Sequence, residues 1–332
     1  MPITSNVPDL TFGVFRFEIR CTTQMYLRPF VASVLRGAFG GQFRRLVCLT
    51  RMESCEGCML RSQCPYGVLF EPAPPTNSER LGHYSAIPRG YVLNPEKLYM
   101  EHLSAGAVLS FEVTLIGTAL KYLPYFIYVF RKLENNGIGA NRHEGGGRFL
   151  LERVMAKKPD LTETLIFDRK EDVLQHAPTG FHAAEWIEPI PDVPDMLTLE
   201  FTSATYLKHA RQPVKSPEFH HIIRSLYRRI SNLMFFYESK TWNLDFAQTF
   251  AEAEKIALIK RDTQWKSMRR YTARLQTELD NEGFVGKITF YGDLAPFWPS
   301  LLVGQFLHIG HAAVFGLGRY ACSVPNLKPI SA

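Results

Sequence analysis

At 332 residues with 46% apolar side chains, the chain is long for one core and sufficient for two domains of ordinary size. Lys and Arg exceed Asp and Glu by 38 to 32, a net charge of +6, so basic residues matter for a polyanionic partner only where they share one face. Residues 1–10 contain no basic segment followed by an apolar run, and the most apolar window, Tyr122 to Phe130, is too short for a bilayer and interrupted by Pro124; no membrane association is expected, and a soluble cytoplasmic protein is.

Thr11 to Cys21 alternates Phe, Val and Ile with polar residues, the period of a half-buried strand. Pro29 then opens a predicted helix to about Leu46, with Val31, Leu35, Ala38 and Phe39 on one side. Gly37, Gly40 and Gly41 weaken that helix and point to a close approach by another part of the molecule. Four cysteines follow within seventeen residues, Cys48, Cys55, Cys58 and Cys64, spaced C-x6-C-x2-C-x5-C. In a reducing compartment four thiolates suit a structural zinc better than disulfides, with an iron–sulfur cluster or free thiols as the alternatives. Cys21 and Cys322 stand alone and read as small buried hydrophobes.

Pro65 to Pro95 is proline-rich and reads as a long exposed connection that carries His83 and Tyr84. A strand from Ala107 to Gly117 and a helix from Lys121 to Glu134 come next, the helix ending in a glycine-rich turn, Gly137-Ile138-Gly139-Ala140-Asn141-Arg142-His143-Glu144-Gly145-Gly146-Gly147-Arg148. Strands near Arg148 to Met155 and Thr164 to Phe167 complete a βαββαβ order, that of a ferredoxin-like unit.

A proline-rich connector, Pro189 to Pro194, precedes a second unit. It starts with a strand at Leu197 to Phe201 and a helix at Pro217 to Tyr237, whose apolar stripe is Phe219, Ile223, Leu226, Ile230, Leu233 and Tyr237. Arg224, Arg228 and Arg229 occupy its other faces. A further helix is expected from Asp245 to about Lys260, a strand from Val285 to Tyr291, then a helix end and a second glycine-rich turn, His308-Ile309-Gly310-His311 through Gly316-Leu317-Gly318-Arg319-Tyr320. Glycines at such a junction let backbone N–H groups approach an anion, and a neighbouring arginine supplies counter-charge. The expected architecture is therefore α+β: two tandem ferredoxin-like (RRM-like) domains, residues 1–190 and 191–332, the first with a cysteine-rich zinc-binding insert at 48–64.

The segments Trp265 through Arg270-Tyr271-Thr272-Ala273-Arg274, Gly283-Phe284-Val285-Gly286, Tyr291-Gly292-Asp293-Leu294, and His308-Ile309-Gly310-His311 to Tyr320 resemble the C-terminal half of the sixth CRISPR-associated (Cas) family, repeat-RNA processing endoribonucleases of the RAMP superfamily. Leu35-Arg36-Gly37-Ala38-Phe39-Gly40, the cysteine cluster, Cys64-Pro65-Tyr66, Leu69-Phe70-Glu71 and Gly137-Ile138-Gly139 are similar to a cysteine-bearing subgroup. The resemblance implies cleavage of precursor CRISPR RNA without a catalytic metal, the 2′-hydroxyl attacking the adjacent phosphate to leave 2′,3′-cyclic phosphate and 5′-hydroxyl ends. Such chemistry needs a base, an acid and cations around the phosphorane, and histidine suits the first two near neutral pH. Many relatives carry a histidine in or before the first helix, whereas Thr23 to Val47 has none; where lysine commonly follows the His-x-Gly of the last turn, this chain has His311.

The candidate catalytic residues are accordingly His311, His143 and His83. His308, ending an apolar helix, reads as a buried or capping histidine; His143 and His83 lie in segments where a solvated loop is an equal account. The candidate RNA contacts are Gly137, Gly139, Arg142, Gly145, Gly146, Gly147, Arg148, Arg224, Arg228, Arg269, Arg270, Gly316, Gly318 and Arg319. The bland reading makes the helix arginines a solvated face and the glycines a requirement of chain geometry. Two functions are compatible with these residues: an endoribonuclease acting on repeat RNA, or a non-catalytic RAMP subunit that holds crRNA backbone or its 5′ tag beside other Cas subunits of an effector complex.

Overall fold

The computed structural model describes residues 7–27, 30–175, 180–188, 193–272 and 277–323. It divides into two compact units, Phe12–Gly180 and Met1–Thr11 together with Phe181–Ala332. Among the described residues no helix is long and apolar enough to cross a membrane.

The N-terminal unit is built from β1 (Thr11–Cys21), α1 (Val31–Val47), the short α2 (Pro65–Leu69), β2 (Tyr91–Pro95), β3 (Val108–Ile116), α3 (Leu123–Asn136), β4 (Phe149–Lys157), β5 (Glu163–Asp168) and β6 (Val173–Leu174). Its sheet runs β2-β3-β1-β4-β5-β6, and the ladders are antiparallel, with Phe17 opposite Phe111 on one side and Val154 on the other. The first four positions reproduce the ferredoxin-like order, and β5 and β6 extend it past β4. Phe15, Phe17 and Ile19 face inward from β1 because alternate side chains share a face. Helices α1 and α3 meet through Phe39 and Phe126, stacked with ring centroids 4.1 Å apart. Of the α1 glycines, Gly40 is the one with a close neighbour: a Cβ there would stand 2.2 Å from the Phe70 ring, while Gly37 and Gly41 face open space.

Two expectations change here. The stretch from Pro65 to Pro95 is not one exposed connection, since α2 and β2 lie within it and Tyr66, Leu69, Phe70, Tyr91, Val92 and Leu93 are buried. Its prolines sit where they interrupt little, Pro65 at the start of a helix and Pro95 at the end of a sheet-edge strand. In α1, Ala38 is half-buried, and Phe43 completes the inward stripe with Val31, Leu35 and Phe39.

The C-terminal unit contains α4 (Ala183–Ile187), β7 (Met196–Thr205), a small hairpin β8 (Lys208–His209) and β9 (Gln212–Pro213), α5 (Phe219–Glu238), α6 (Phe246–Glu254), β10 (Ala257–Thr272), β11 (Thr277–Tyr291), α7 (Trp298–Leu307) and β12 (Tyr320–Ser323). Its main sheet runs β10-β11-β7-β12, again the ferredoxin-like order. The α5 stripe read from the sequence is buried throughout: Phe219, Ile223, Leu226, Ile230, Leu233 and Tyr237. Helix α6, expected to reach about Lys260, ends at Glu254, because Ala257 onward pairs with β11 in a continuous ladder from Ala257↔Tyr291 to Thr272↔Thr277. β7 pairs with β11 from Met196↔Tyr291 to Thr205↔Phe284, so beyond Phe284 the two long strands pair only with each other. Helix α7 is apolar nearly all round rather than amphipathic, with every residue from Trp298 to Leu307 buried except Phe306. Gly316-Leu317-Gly318 lies in the turn before β12.

Candidate nucleic-acid interface

The two glycine-rich turns are copies of one backbone device. After α3, Ile138 N–H donates to the Gly147 carbonyl at 2.9 Å; after α7, Ile309 N–H donates to the Gly318 carbonyl at 3.0 Å. Gly147 N–H in turn donates to Gln24 O at 2.9 Å, just past β1, and Gly318 N–H to Ala204 O at 3.1 Å, near the end of β7, so each turn is tied to the C-terminal end region of the first strand of its own unit. The match extends further: an added Cβ at Gly139 would stand 2.4 Å from Tyr26 O, and one at Gly310 2.5 Å from Tyr206 O. Both isoleucines are fully buried. Gly147 and Gly318 are required by this contact, since each has positive φ, and a Cβ would stand 1.9 Å from Ile138 O and 1.7 Å from Ile309 O respectively.

At the helix exit the copies diverge. The first turn has Gly137 at φ 68, ψ 163, and the second has His308 at φ 59, ψ 170, a region almost reserved for glycine. The His308 imidazole is buried, with Nδ1 3.2 Å from the Leu317 carbonyl. Burial, with Arg319 and Arg229 adding repulsion, lowers its pKa from 6.5 to about 3. Because the folded-state value is depressed, the neutral imidazole contributes stability that is complete above pH 6.5 and is lost as pH falls toward 3. Thermal unfolding across that window should show His308→Asn less acid-sensitive than wild type, by on the order of 2–3 kcal/mol at about pH 4.5. Parallel acid profiles for the two proteins would refute this role.

His311 differs from His308 in every respect. It is exposed, and its position is set by its own N–H, which donates to Tyr206 O at 3.0 Å. The Tyr206 ring stands edge-on at 6.2 Å from its imidazole, and Trp265 of β10 lies 6.1 Å from Tyr206. Two ammonium groups sit against these rings, Lys208 Nζ at 5.7 Å from Tyr206 and Lys215 Nζ at 6.0 Å from Trp265. Trp265 Nε1 donates to Glu282 across the hairpin at 3.1 Å, which holds the indole in place. Half-exposed aromatic rings flanked by lysines can stack bases and neutralise phosphates. Of Tyr206, Trp265, Lys208 and Lys215 only Trp265 lies in a stretch with a motif; Tyr206 and Lys208 follow the end of β7 and carry no local signal.

The remaining candidates are dispersed. On the N-terminal unit, Arg142, His143 and Arg148 are exposed, and Arg142 Nε donates to His143 Nε2 at 3.2 Å. Gly145 has open space where a Cβ would go, whereas Gly146 abuts the Asn141 side chain. His83 is exposed in the connection. On α5, Arg228 is exposed, but Arg224 pairs with Glu254 at 2.8 Å and covers the Phe250 ring at 4.4 Å. Arg229 is half-buried, donating from Nε to Leu307 O at 2.8 Å at the end of α7, and desolvation of its guanidinium lowers its pKa to about 10. Arg319 Nε donates to Thr202 Oγ1 at 2.8 Å, and Gly316 is buried. The side chains of Arg269 and Arg270 lie outside the described residues.

The four cysteines come together without closing a site. Cys48, Cys55, Cys58 and Cys64 line one cavity of about 200 Å³ with Arg44, Arg61 and Tyr66. Thr50 Oγ1 lies 4.0 Å from Cys48 Sγ and 3.6 Å from Cys58 Sγ. Burial pushes the Cys48 thiol up, but the Arg51 backbone, Thr50 and Arg44 outweigh it and leave the thiol below its ordinary range; burial and Glu71 raise that of Cys55. Four thiols around one cavity suit zinc as a donor set. Among the described residues, however, the one group of three potential ligand atoms within 4.8 Å of one another lies elsewhere, at His209, His220 and His221.

Residues 10–179 match the N-terminal domain family AF_1859_N, and residues 199–320 match the family described as CRISPR-associated endoribonuclease Cas6. An uncharacterized protein of Archaeoglobus fulgidus is 29% identical over 117 residues, which is 35% of this chain and 38% of that protein's length, so the match spans about two fifths of the relative. Among solved structures, Thermus thermophilus Cas6 superposes with TM-score 0.52 at 13% identity, covering 95% of this chain and 99% of that one. A Cas6 product complex gives 0.54 at 15% identity, covering 93% and 98%. A partial Cas6-RT-Cas1–Cas2 complex gives 0.54 at 12% identity, covering 96% of this chain and 47% of that one. At these identities the superpositions establish the double ferredoxin-like fold. The family model that matches just over half of the chain is AF_1859_N, to which the chain therefore belongs by its first unit, and the second unit, residues 199–320, matches the family described as CRISPR-associated endoribonuclease Cas6.

Proposed function

We propose that this chain binds the repeat RNA of CRISPR transcripts and cuts it, with His311 as the general base. The observation that carries the reading is the run of contacts in the C-terminal unit from His311 to Tyr206 to Trp265, with Lys208 against the ring of Tyr206 and Lys215 against that of Trp265. In the proposed step the His311 imidazole takes the proton of a 2′-hydroxyl, the 2′ oxygen forms a bond to the adjacent phosphorus, and the bond to the 5′ oxygen breaks as that oxygen takes a proton from water, to which the imidazolium returns its own. The ammonium of Lys208 offsets charge on the phosphorane, and the rings of Tyr206 and Trp265 hold flanking bases. The superposed structures, a Cas6 product complex and a partial Cas6-RT-Cas1–Cas2 complex, are compatible with RNA as ligand and with other Cas proteins as partners.

Arg142 and Arg148 would extend backbone contact on the N-terminal unit, where His143 and His83 are the other imidazoles of this reading. The four cysteines would hold one structural zinc that takes no part in the chemistry, tying the end of α1 to α2. A second reading, an RNA-holding subunit without cleavage, draws on the lack of any histidine between Thr23 and Val47. Incubating the full chain with repeat RNA in EDTA and analysing the fragment ends separates the two. Cyclic phosphate and 5′-hydroxyl ends, at a rate chelation leaves unchanged, are expected; intact RNA that is nevertheless bound would favour the second reading, and cleavage abolished by EDTA would sink the metal-independent mechanism.

A further inference from the structure

Three histidines outside the proposed RNA face have no part in that chemistry. His209 ends β8, and His220 and His221 occupy the first turn of α5. Successive helical residues diverge by about 100° around the axis, yet the His220 and His221 rings lie with centroids 3.9 Å apart, and His209 comes within 5.7 and 4.9 Å of them. One nitrogen from each ring falls within 4.8 Å of the other two, against roughly 3.3 Å between ligands in a tetrahedral imidazole site, so rotamer adjustments of about 1 Å close it. We propose that His209, His220 and His221 bind a divalent transition-metal ion of the zinc class, which ties the β8–β9 hairpin to the start of α5.

Two further observations point the same way. The hairpin reverses through Ala210 and Arg211, both at positive φ (47° and 66°), a turn that favours asparagine and glycine and is strained with side chains such as these. That strained turn is what presents His209 to the helix, and a shared ion would compensate it. The surroundings also offer a fourth ligand: Glu218 Oε2 lies 3.7 Å from His220 Nδ1, while Glu254 is spent on its ion pair with Arg224. Imidazole donors of this kind suit Zn²⁺, Ni²⁺ and Cu²⁺. Binding has a definite cost. The Glu218 N–H donates to His221 Nδ1 at 3.1 Å; an ion at Nδ1 displaces that bond, and one at Nε2 requires the ring proton to move to Nδ1.

The assignment does not depend on RNA cleavage, and its test reads metal directly. Zinc chloride is titrated calorimetrically into the full-length, metal-stripped protein and into His209→Gln and His209→Gln/His220→Gln variants, with far-UV circular dichroism as the control for folding. Wild type should take up roughly one equivalent more than the double variant, and His209→Gln alone should weaken that equivalent at least about tenfold. A Cys48→Ser/Cys55→Ser variant should retain the histidine-dependent equivalent, which separates it from any zinc held by thiols. Should the double variant misfold, His209→Gln decides alone, because it changes one exposed hairpin side chain. Identical stoichiometry and affinity in wild type and His209→Gln would overturn the proposal.

Discussion

Replacing His311 with alanine should slow single-turnover cleavage of repeat RNA by about 10²–10⁴-fold, the usual consequence of losing a general base, with RNA affinity little changed. The expectation comes from how the side chain is held. The His311 N–H is fixed to Tyr206 O, and the neighbouring Gly310 abuts that same carbonyl, so the imidazole is presented from a rigid turn rather than a free loop. Tyr206→Ala and Trp265→Ala should act differently, raising the RNA concentration needed for half-maximal rate more than lowering the rate at saturation, because stacking supports substrate and transition state alike. If His311→Ala cuts at the wild-type rate while His143→Ala or His83→Ala does not, the reacting centre belongs to the N-terminal unit.

Periodicity carried most of the architecture. The 3.6-residue stripe of α5 and the alternation of β1 were readable because each buries one face, and the two βαββαβ orders followed from placing such segments in sequence. What escaped was decided at a distance. β2 is a buried edge strand enclosed by prolines, and its local composition reads as a loop. The long β10–β11 ladder overrode the helical look of 255–260, because its hydrogen bonds come from β11 some thirty residues further on. The metal geometry read from cysteine spacing gave the residues around the cavity, while the closest cluster of ligand atoms came from histidines eleven residues apart, brought together by a hairpin turn. Even so, the adjacent His220-His221 pair at the start of an amphipathic helix was a signal available in the sequence. The duplicated glycine turns were legible as a repeat; their meaning was not, since only the fold shows Gly147 and Gly318 packed on backbone carbonyls of their own turns rather than lying open to an anion.

That distinction can be measured on the glycines themselves. Gly318→Ala combines an unfavourable positive φ with a Cβ placed 1.7 Å from Ile309 O, and Gly147→Ala repeats the combination at 1.9 Å from Ile138 O. Neither obstacle is the end of a flexible side chain, so relief requires moving the turn and breaking the Ile309–Gly318 or Ile138–Gly147 hydrogen bond. A loss of about 3 kcal/mol or more in each is expected from strain, a lost buried hydrogen bond and displaced apolar contacts together. Gly145→Ala is the control: its φ is also positive, at 82°, but nothing lies within 4 Å of the added methyl, so about 1 kcal/mol is expected. Denaturant unfolding of the three variants reads the difference. A Gly318→Ala protein as stable as wild type but deficient in RNA binding would mean that the glycine is kept for the ligand's approach and that the turn can relax, and the shared backbone lock would then lose its structural role.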